Sequence, residues 1–163
     1  MQEFHTIIDH LQLQPHPEGG FYKEIYRSEN IVSESTSSRD KSACTSIYFL
    51  LAGHDFSCWH RIKSDETWFF HYGCEVLIHL FNEDKMLETI QLGLEAKKFQ
   101  MTLAANTWFS TKITNEMSFC LVSCVVAPGF EFDEFEIAKR EALLVEYGSS
   151  DEHIQAIKAF TRS

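Results

Sequence analysis

The sequence is poor in proline, with three residues, and in glycine, with seven of 163. That scarcity excludes a collagen-like repeat and the loop-forming composition of a disordered chain. Cysteine is sparse and badly arranged for metal or disulfide chemistry. The five residues Cys44, Cys58, Cys74, Cys120 and Cys124 form an odd set without a C-x-x-C pair, which argues against zinc ribbons and disulfide frameworks and for buried, reduced thiols. Cys120 and Cys124 fall on one face of a strand, but extended chain separates them by about 13 Å, too far for a redox pair. Positive charge is short as well: 14 Lys and Arg face 24 Asp and Glu, a net charge of −10. Such a surface repels phosphate backbones and anionic lipid headgroups, so neither nucleic acid nor a membrane is expected as a partner. No apolar run approaches the ~20 residues of a membrane-spanning helix. No basic stretch followed by an apolar one opens the chain as a secretion leader would. A cytoplasmic protein is the expectation.

What the chain does have is aromatic residues. Fourteen Phe, five Tyr and three Trp make up 13% of it, and 44% of all residues are hydrophobic. That enrichment suits strands packed around an apolar interior. The length fits one domain, residues 1–163, able to bury a core without a metal or disulfide staple. Phe4, Ile7, Ile8 and Leu11 recur at helical spacing and predict a short helix over residues 3–11. Pro15 and Pro17 end it. Glu18-Gly19-Gly20 makes a corner, either a flap over a cavity mouth or a structural turn. A strand over residues 21–27 follows, then a serine-rich surface loop over 28–42. From Cys44 onward strand-like runs arrive at short intervals: 44–52, 58–62, 67–72, 75–81, 87–92, 99–102, 107–113 and 118–126. Turn residues separate them, and no helix-sized segment interrupts them, which predicts a sandwich or small barrel rather than a parallel α/β sheet. Two short helices close the chain, one over 135–146 and a second with Ile154, Ile157 and Phe160 on its apolar stripe, capped by Ser149 with Glu152.

The chemistry concentrates between Gly53 and Gly73. The segment reads as strand, a Lys63-Ser64-Asp65 turn, and a returning strand. Alternation puts His60 and Ile62 on one face, and Glu66, Trp68 and Phe70 on one face of the partner strand. Folded in register, the hairpin turns His60 and Glu66 toward the same interior, with Trp68 beside them. An imidazole and a carboxyl group in an aromatic hollow can exchange protons, or can anchor a polar ligand. A buried structural His–Glu contact is the competing reading. It has to explain why a carboxyl group sits among aromatics.

Here the sequence resembles the cupin superfamily. Gly53, His60, Glu66 and Gly73 match its first motif, a glycine, a His-x-His pair, a glutamate and a closing glycine. The second histidine of the pair falls on Ile62. Residues 103–109 resemble the second motif, Pro-x-Gly-x-x-His, with Ala104 in place of the proline, Asn106 of the glycine and Phe109 of the histidine. Two of the family's four metal ligands are therefore missing, and no metal or other cofactor is expected. Within the superfamily the chain is similar to a branch of small cupins of unassigned function. Pro17-Glu18-Gly19-Gly20-Phe21-Tyr22, Ser46-Ile47-Tyr48-Phe49-Leu50-Leu51, Asp65-Glu66-x-Trp68, Asn106-Thr107-Trp108 and Val126-Ala127-Pro128-Gly129-Phe130-Glu131-Phe132 carry that likeness. The resemblance implies an all-β fold, a double-stranded β-helix (jelly-roll) barrel with short N-terminal and C-terminal helices, and a homodimer. It also implies a likeness in fold to deoxysugar-nucleotide epimerases, hence a sugar or nucleotide-sugar ligand. That last step is analogy of fold, which does not fix chemistry.

The functional expectation is a small polar molecule bound in the barrel. His60 would act as base and Glu66 would orient it, in a metal-independent isomerase or epimerase. Trp68, Phe70, Gln100, Trp108 and Phe109 are the expected ligand-binding residues, with Trp108 also readable as core. A non-catalytic binding protein and a weakly metal-dependent cupin enzyme are the alternatives. Such an epimerase also needs a proton donor across the ring, for which Tyr48 and Tyr72 are candidates. Arg61 should point away from His60 and pair with an acid. His5, His10, His16, His54 and His153 are expected in solvent, and His71, opposite in parity to Glu66, outside the site.

Overall fold

The computed structural model describes residues 2–33 and 40–162. Helix α1 (Gln2–Leu11) leads into β1 (Gln14–Pro15) and β2 (Phe21–Arg27). The strands β3 (Ile31–Ser33), β4 (Asp40–Ser42), β5 (Thr45–Ala52), β6 (Phe56–Arg61), β7 (Asp65–Gly73) and β8 (Val76–Phe81) follow. Then come β9 (Leu87–Leu92), β10 (Gln100–Leu103), β11 (Phe109–Ile113) and β12 (Phe119–Ala127). A 3-10 turn (Phe132–Glu134), β13 (Glu136–Ile137), α2 (Arg140–Tyr147) and α3 (Asp151–Ala159) complete the chain.

The strands form a six-stranded sheet in the order β1-β2-β5-β12-β7-β10 and a five-stranded sheet in the order β13-β6-β11-β8-β9. Every pairing is antiparallel, and apart from β1–β2 and β8–β9 the strands adjacent in the two sheets are not consecutive in the chain, as in a jelly roll. The two sheets face one another. Phe49, Leu51, Trp68 and Val122 from one sheet meet Val76, Ile78, Phe109 and Ile113 from the other in the main core. Strand β6 is buried on both sides. His60 turns inward, while Trp59 turns out beneath Leu143 of α2 and Ile157 of α3, beside Phe81 and Trp108. Helix α1 covers the other sheet, its Phe4, Ile7, Ile8 and Leu11 packing on Leu13, Leu50 and Phe119. The all-β jelly roll with terminal helices is thus the observed fold.

Differences from the sequence reading are local. The expected serine loop holds a hairpin: Ile31–Ser33 pairs with Asp40–Ser42, and residues 34–39 lie outside the described residues. Lys41 makes this hairpin worthwhile, because its ammonium group is buried against Glu134 at 2.5 Å and Ser64 at 3.0 Å. The last helix is capped one residue later than expected, by Ser150, whose hydroxyl accepts from the His153 N–H. His153 is buried rather than solvated, its Nδ1 donating to the Tyr147 carbonyl at 2.8 Å. Gly73, the closing glycine of the motif, has φ +98, and a Cβ there would lie 2.1 Å from the Phe119 carbonyl oxygen. Asn106, where the second motif has glycine, adopts φ +65, a conformation that asparagine tolerates better than most residues.

Candidate functional site

One end of the space between the sheets is not filled by the core. A cavity of about 140 Å³ remains, floored by Phe49 and Trp68 and walled by His60, Ile62, Glu66, Cys124 and Val126. The segment between α1 and β2 adds His16, Glu18 and Tyr22, and the segment after β12 adds Phe130, Phe132 and Phe135. Glu24 and Arg27 stand at the same opening.

His60 and Glu66 do project into one cavity, as the hairpin alternation predicts, and Trp68 lies with them. No hydrogen bond joins His60 to Glu66. The carboxyl group against His60 belongs to Glu18, with its Oε2 3.2 Å from His60 Nε2. Glu18 is delivered by the proline–glycine corner. Gly19 has φ +116, and a Cβ on it would lie 2.0 Å from the Phe56 carbonyl oxygen, so the chain can press this closely onto β6 only with glycine there. The Cys58 N–H donates to the Glu18 carbonyl at 2.8 Å and completes the anchorage.

The hydrogen bonds settle where the protons sit. His60 Nδ1 lies 2.7 Å from the Cys58 carbonyl oxygen, which can only accept, so Nδ1 carries the hydrogen and Nε2 presents a lone pair. His16 Nδ1 accepts from the Glu18 N–H at 3.3 Å, which occupies its lone pair, and lies 3.5 Å from Glu18 Oε2. The His60 lone pair thus faces Glu18 Oε2, an arrangement that favours a proton on that oxygen. The other oxygen, Oε1, accepts from the Ser57 hydroxyl at 3.0 Å. The shifts in acidity agree. Burial, then the charge of Glu66, pushes Glu18 well above the usual carboxylate range against the pull of Ser57. Burial lowers His60 to about 3 and His16 to about 4. Burial raises Glu66 to about 7, while the Cys124 thiol and the Trp68 indole beside it pull the other way. The Trp68 N–H lies outside hydrogen-bond geometry with every protein acceptor among the described residues, although Trp68 is 1% exposed. The site therefore favours neutral imidazoles and a proton on Glu18, and holds a Glu66 that can give or take a proton near neutral pH.

Four expected ligand-binding residues stand elsewhere. Phe109 pairs with His60 across β11 and β6 and stacks behind its ring at 4.1 Å, supporting the imidazole from outside the cavity. Phe70 lies two residues beyond Trp68 and packs against the main core. Gln100 is exposed on the edge strand β10, opposite Phe69. Trp108 is core beneath the C-terminal helices, with the Arg61 guanidinium 4.5 Å over its ring. Alternation gives the face of a strand but not the depth along it, which misplaced Phe70 and Phe109, whereas Gln100 lies on the outer face of β10 and Trp108 precedes β11 on the helix side. Arg61 does pair with an acid, Glu136, at 2.8 Å. His5, His10 and His54 are exposed as expected, whereas the His16 side chain is only 7% exposed. His71 lies outside the cavity and meets the Ser123 hydroxyl. Neither Tyr48 nor Tyr72 lines the cavity. Tyr22 does, with its ring edge-on to His16 at 4.6 Å. Glu18, His16 and Tyr22 were within reach of sequence reading through the Pro17-Glu18-Gly19-Gly20 corner, whose two glycines mark a close backbone approach.

The sequence matches the model of the cupin superfamily (DUF985) over residues 5–138. The chain belongs to this family. It is similar to a protein of Shewanella oneidensis, 36% identical over 99% of both chains with a TM-score of 0.88. A hypothetical protein from Leishmania major is 31% identical over 100% of this chain and 99% of that one, also with a TM-score of 0.88. Oxalate decarboxylase from Bacillus subtilis shares the fold at a TM-score of 0.57 and 15% identity, over 86% of this chain and 35% of that one. No curated protein matches the chain. In this cupin the positions of the family's metal ligands hold His60, Ile62, Glu66 and Phe109. Ile62 offers the cavity a hydrocarbon, and Phe109 occupies the space behind the His60 ring. Among the described residues no group of three His, Cys, Asp or Glu side chains is placed to hold a metal ion. The residues present do not fit the metal that the fold implies. Among the described residues no helix is long and apolar enough to cross a membrane.

Proposed function

We propose that this cupin binds a small polar metabolite, sugar-like in size and hydroxylation, in the barrel cavity and moves a proton on it as a metal-independent isomerase or epimerase. The observation that carries the reading is Glu66, enclosed by aromatic walls and brought to about pH 7 by burial. A catalytic acid or base works best with its pKa near the working pH. The roles differ from those expected from the hairpin alone. His60 Nε2 is engaged by Glu18, so Glu66 is the group free to exchange a proton with a ligand. The Glu18–His60 pair holds the opposite wall, and the Tyr22 ring lines the same cavity. The size supports a ring-sized molecule, because a cavity of about 150 Å³ accommodates benzene, and a whole nucleotide sugar exceeds it several-fold.

The test is solvent exchange. The protein is incubated in D2O with a panel of sugars and their amino and keto derivatives, and C–H signals are followed by NMR. Deuterium should enter one position of one class, and Glu66→Gln should slow that entry by at least about a hundredfold. Exchange that survives Glu66→Gln overturns the catalytic reading. Binding without exchange would establish a second reading, a non-catalytic binding protein, which the engagement of His60 Nε2 by Glu18 favours.

A further inference from the structure

Resting on the binding reading, we infer that the ligand carries a primary ammonium group, and that this cavity selects hydroxylated amines over their neutral and phosphorylated counterparts. The first ground is the balance of hydrogen-bonding groups. The oxygens of Glu66 are acceptors open to a ligand, whereas His60 Nε2 and His16 Nδ1 are taken up by Glu18. Against these acceptors the described walls offer few donors. One is the Trp68 N–H, beside Glu66 but outside hydrogen-bond geometry with it, and almost wholly buried. An ammonium group has three donors and no acceptor, which complements such a site, whereas a phosphate brings only acceptors at neutral pH. A neighbouring hydroxyl on the ligand can accept from Trp68.

The second ground is charge. Arg27 is the cation at the cavity opening, and it is already committed. It meets both oxygens of Glu24, at 3.1 and 2.9 Å, and Glu131 at 2.8 Å, and donates to the Phe130 carbonyl. Among the described residues no lysine or arginine is paired with Glu66, and its charge raises the cost of charging Glu18. An incoming ammonium group supplies the missing counter-charge. The third ground is the wall chemistry. Phe49, Trp68, Phe132 and Phe135 present aromatic surface, whose faces attract cations. The net charge of −10 acts in the same sense at long range.

The experiment compares three molecules of one skeleton: 1-amino-1-deoxysorbitol, sorbitol and sorbitol 6-phosphate, at pH 7.5 with chelator present. Calorimetry gives affinity, and the Trp68 indole signal in a ¹⁵N-labelled sample reports where each molecule sits. The amine should bind at least about tenfold more tightly than sorbitol and shift the Trp68 signal, while the phosphate should not bind. Glu66→Gln should weaken the amine by about tenfold and erase its advantage over sorbitol. Because that variant keeps the shape of the side chain, an unchanged circular dichroism spectrum and urea midpoint at pH 4.5 show an intact fold. Equal affinity for amine and sorbitol, tighter binding of the phosphate, or amine binding only after a divalent metal ion is added overturns the inference. In the first two cases a Trp68 shift leaves the cavity reading standing. If none of the three binds, the inference falls. The cavity reading falls with it only if the D2O panel also fails to move the Trp68 signal.

Discussion

At the scale of single residues the site is a place where burial opposes charge. Glu66 would be ionised in water at neutral pH, yet in the fold its pKa rises from 4.5 to about 7. The folded state thus holds the proton more tightly than the unfolded state does between those values. Its contribution to stability is complete below pH 4.5 and is lost as pH climbs through 7. The loss is on the order of 3 kcal/mol above pH 7. His60 acts on the acid side. Its pKa is depressed from 6.5 to about 3, so stability is lost as pH falls from 6.5 through 3. Glu66→Gln removes the alkaline loss, because the amide cannot ionise. Urea unfolding at pH 4.5 and pH 8.5 should show the variant close to wild type at the lower pH and more stable by about 2–3 kcal/mol at the higher one. A difference that does not grow with pH would mean that the Glu66 carboxyl is solvated.

Elements carry the second level of organisation, because a buried ion pair fixes the segment that roofs the cavity. Lys41 of β4 reaches Glu134 in the 3-10 turn and Ser64 in the β6–β7 turn. Phe132 and Phe135, on either side of Glu134, line the cavity. Lys41→Ala removes the buried ammonium partner of Glu134 and should cost about 3–5 kcal/mol in urea unfolding. The double variant Lys41→Met with Glu134→Leu should recover most of that loss. A single variant as stable as wild type would show that water reaches the pair. This strut was not legible in the sequence, where Lys41 closes a run of serines and charges. The strands were legible, because β5 through β12 alternate or run apolar over lengths set by their turns, and most lie within two residues of the predicted spans. The hairpin of β3 and β4 was missed because three residues on each side leave too little pattern.

For the whole molecule, the jelly roll brings together residues that the chain keeps far apart. His60, Glu66 and Trp68 were legible because one tight hairpin carries them and strand parity aims them. Glu18 and His16 come from a segment some forty residues earlier, and Phe130, Phe132 and Phe135 from one some sixty later. No local periodicity says which loop folds over which mouth. The core fills one end of the sheet pair and leaves the other hollow, so the same architecture supplies rigidity and a binding space. The central claim is the state of the proton there, a neutral His60 with hydrogen on Nδ1 facing a protonated Glu18. Long-range ¹H–¹⁵N correlation spectra of the histidine rings test it directly. His60 should show the Nδ1–H tautomer and remain neutral from pH 8 down to about pH 4. A His60 ring that carries its hydrogen on Nε2, or that becomes imidazolium near pH 6 to 7, would contradict the account.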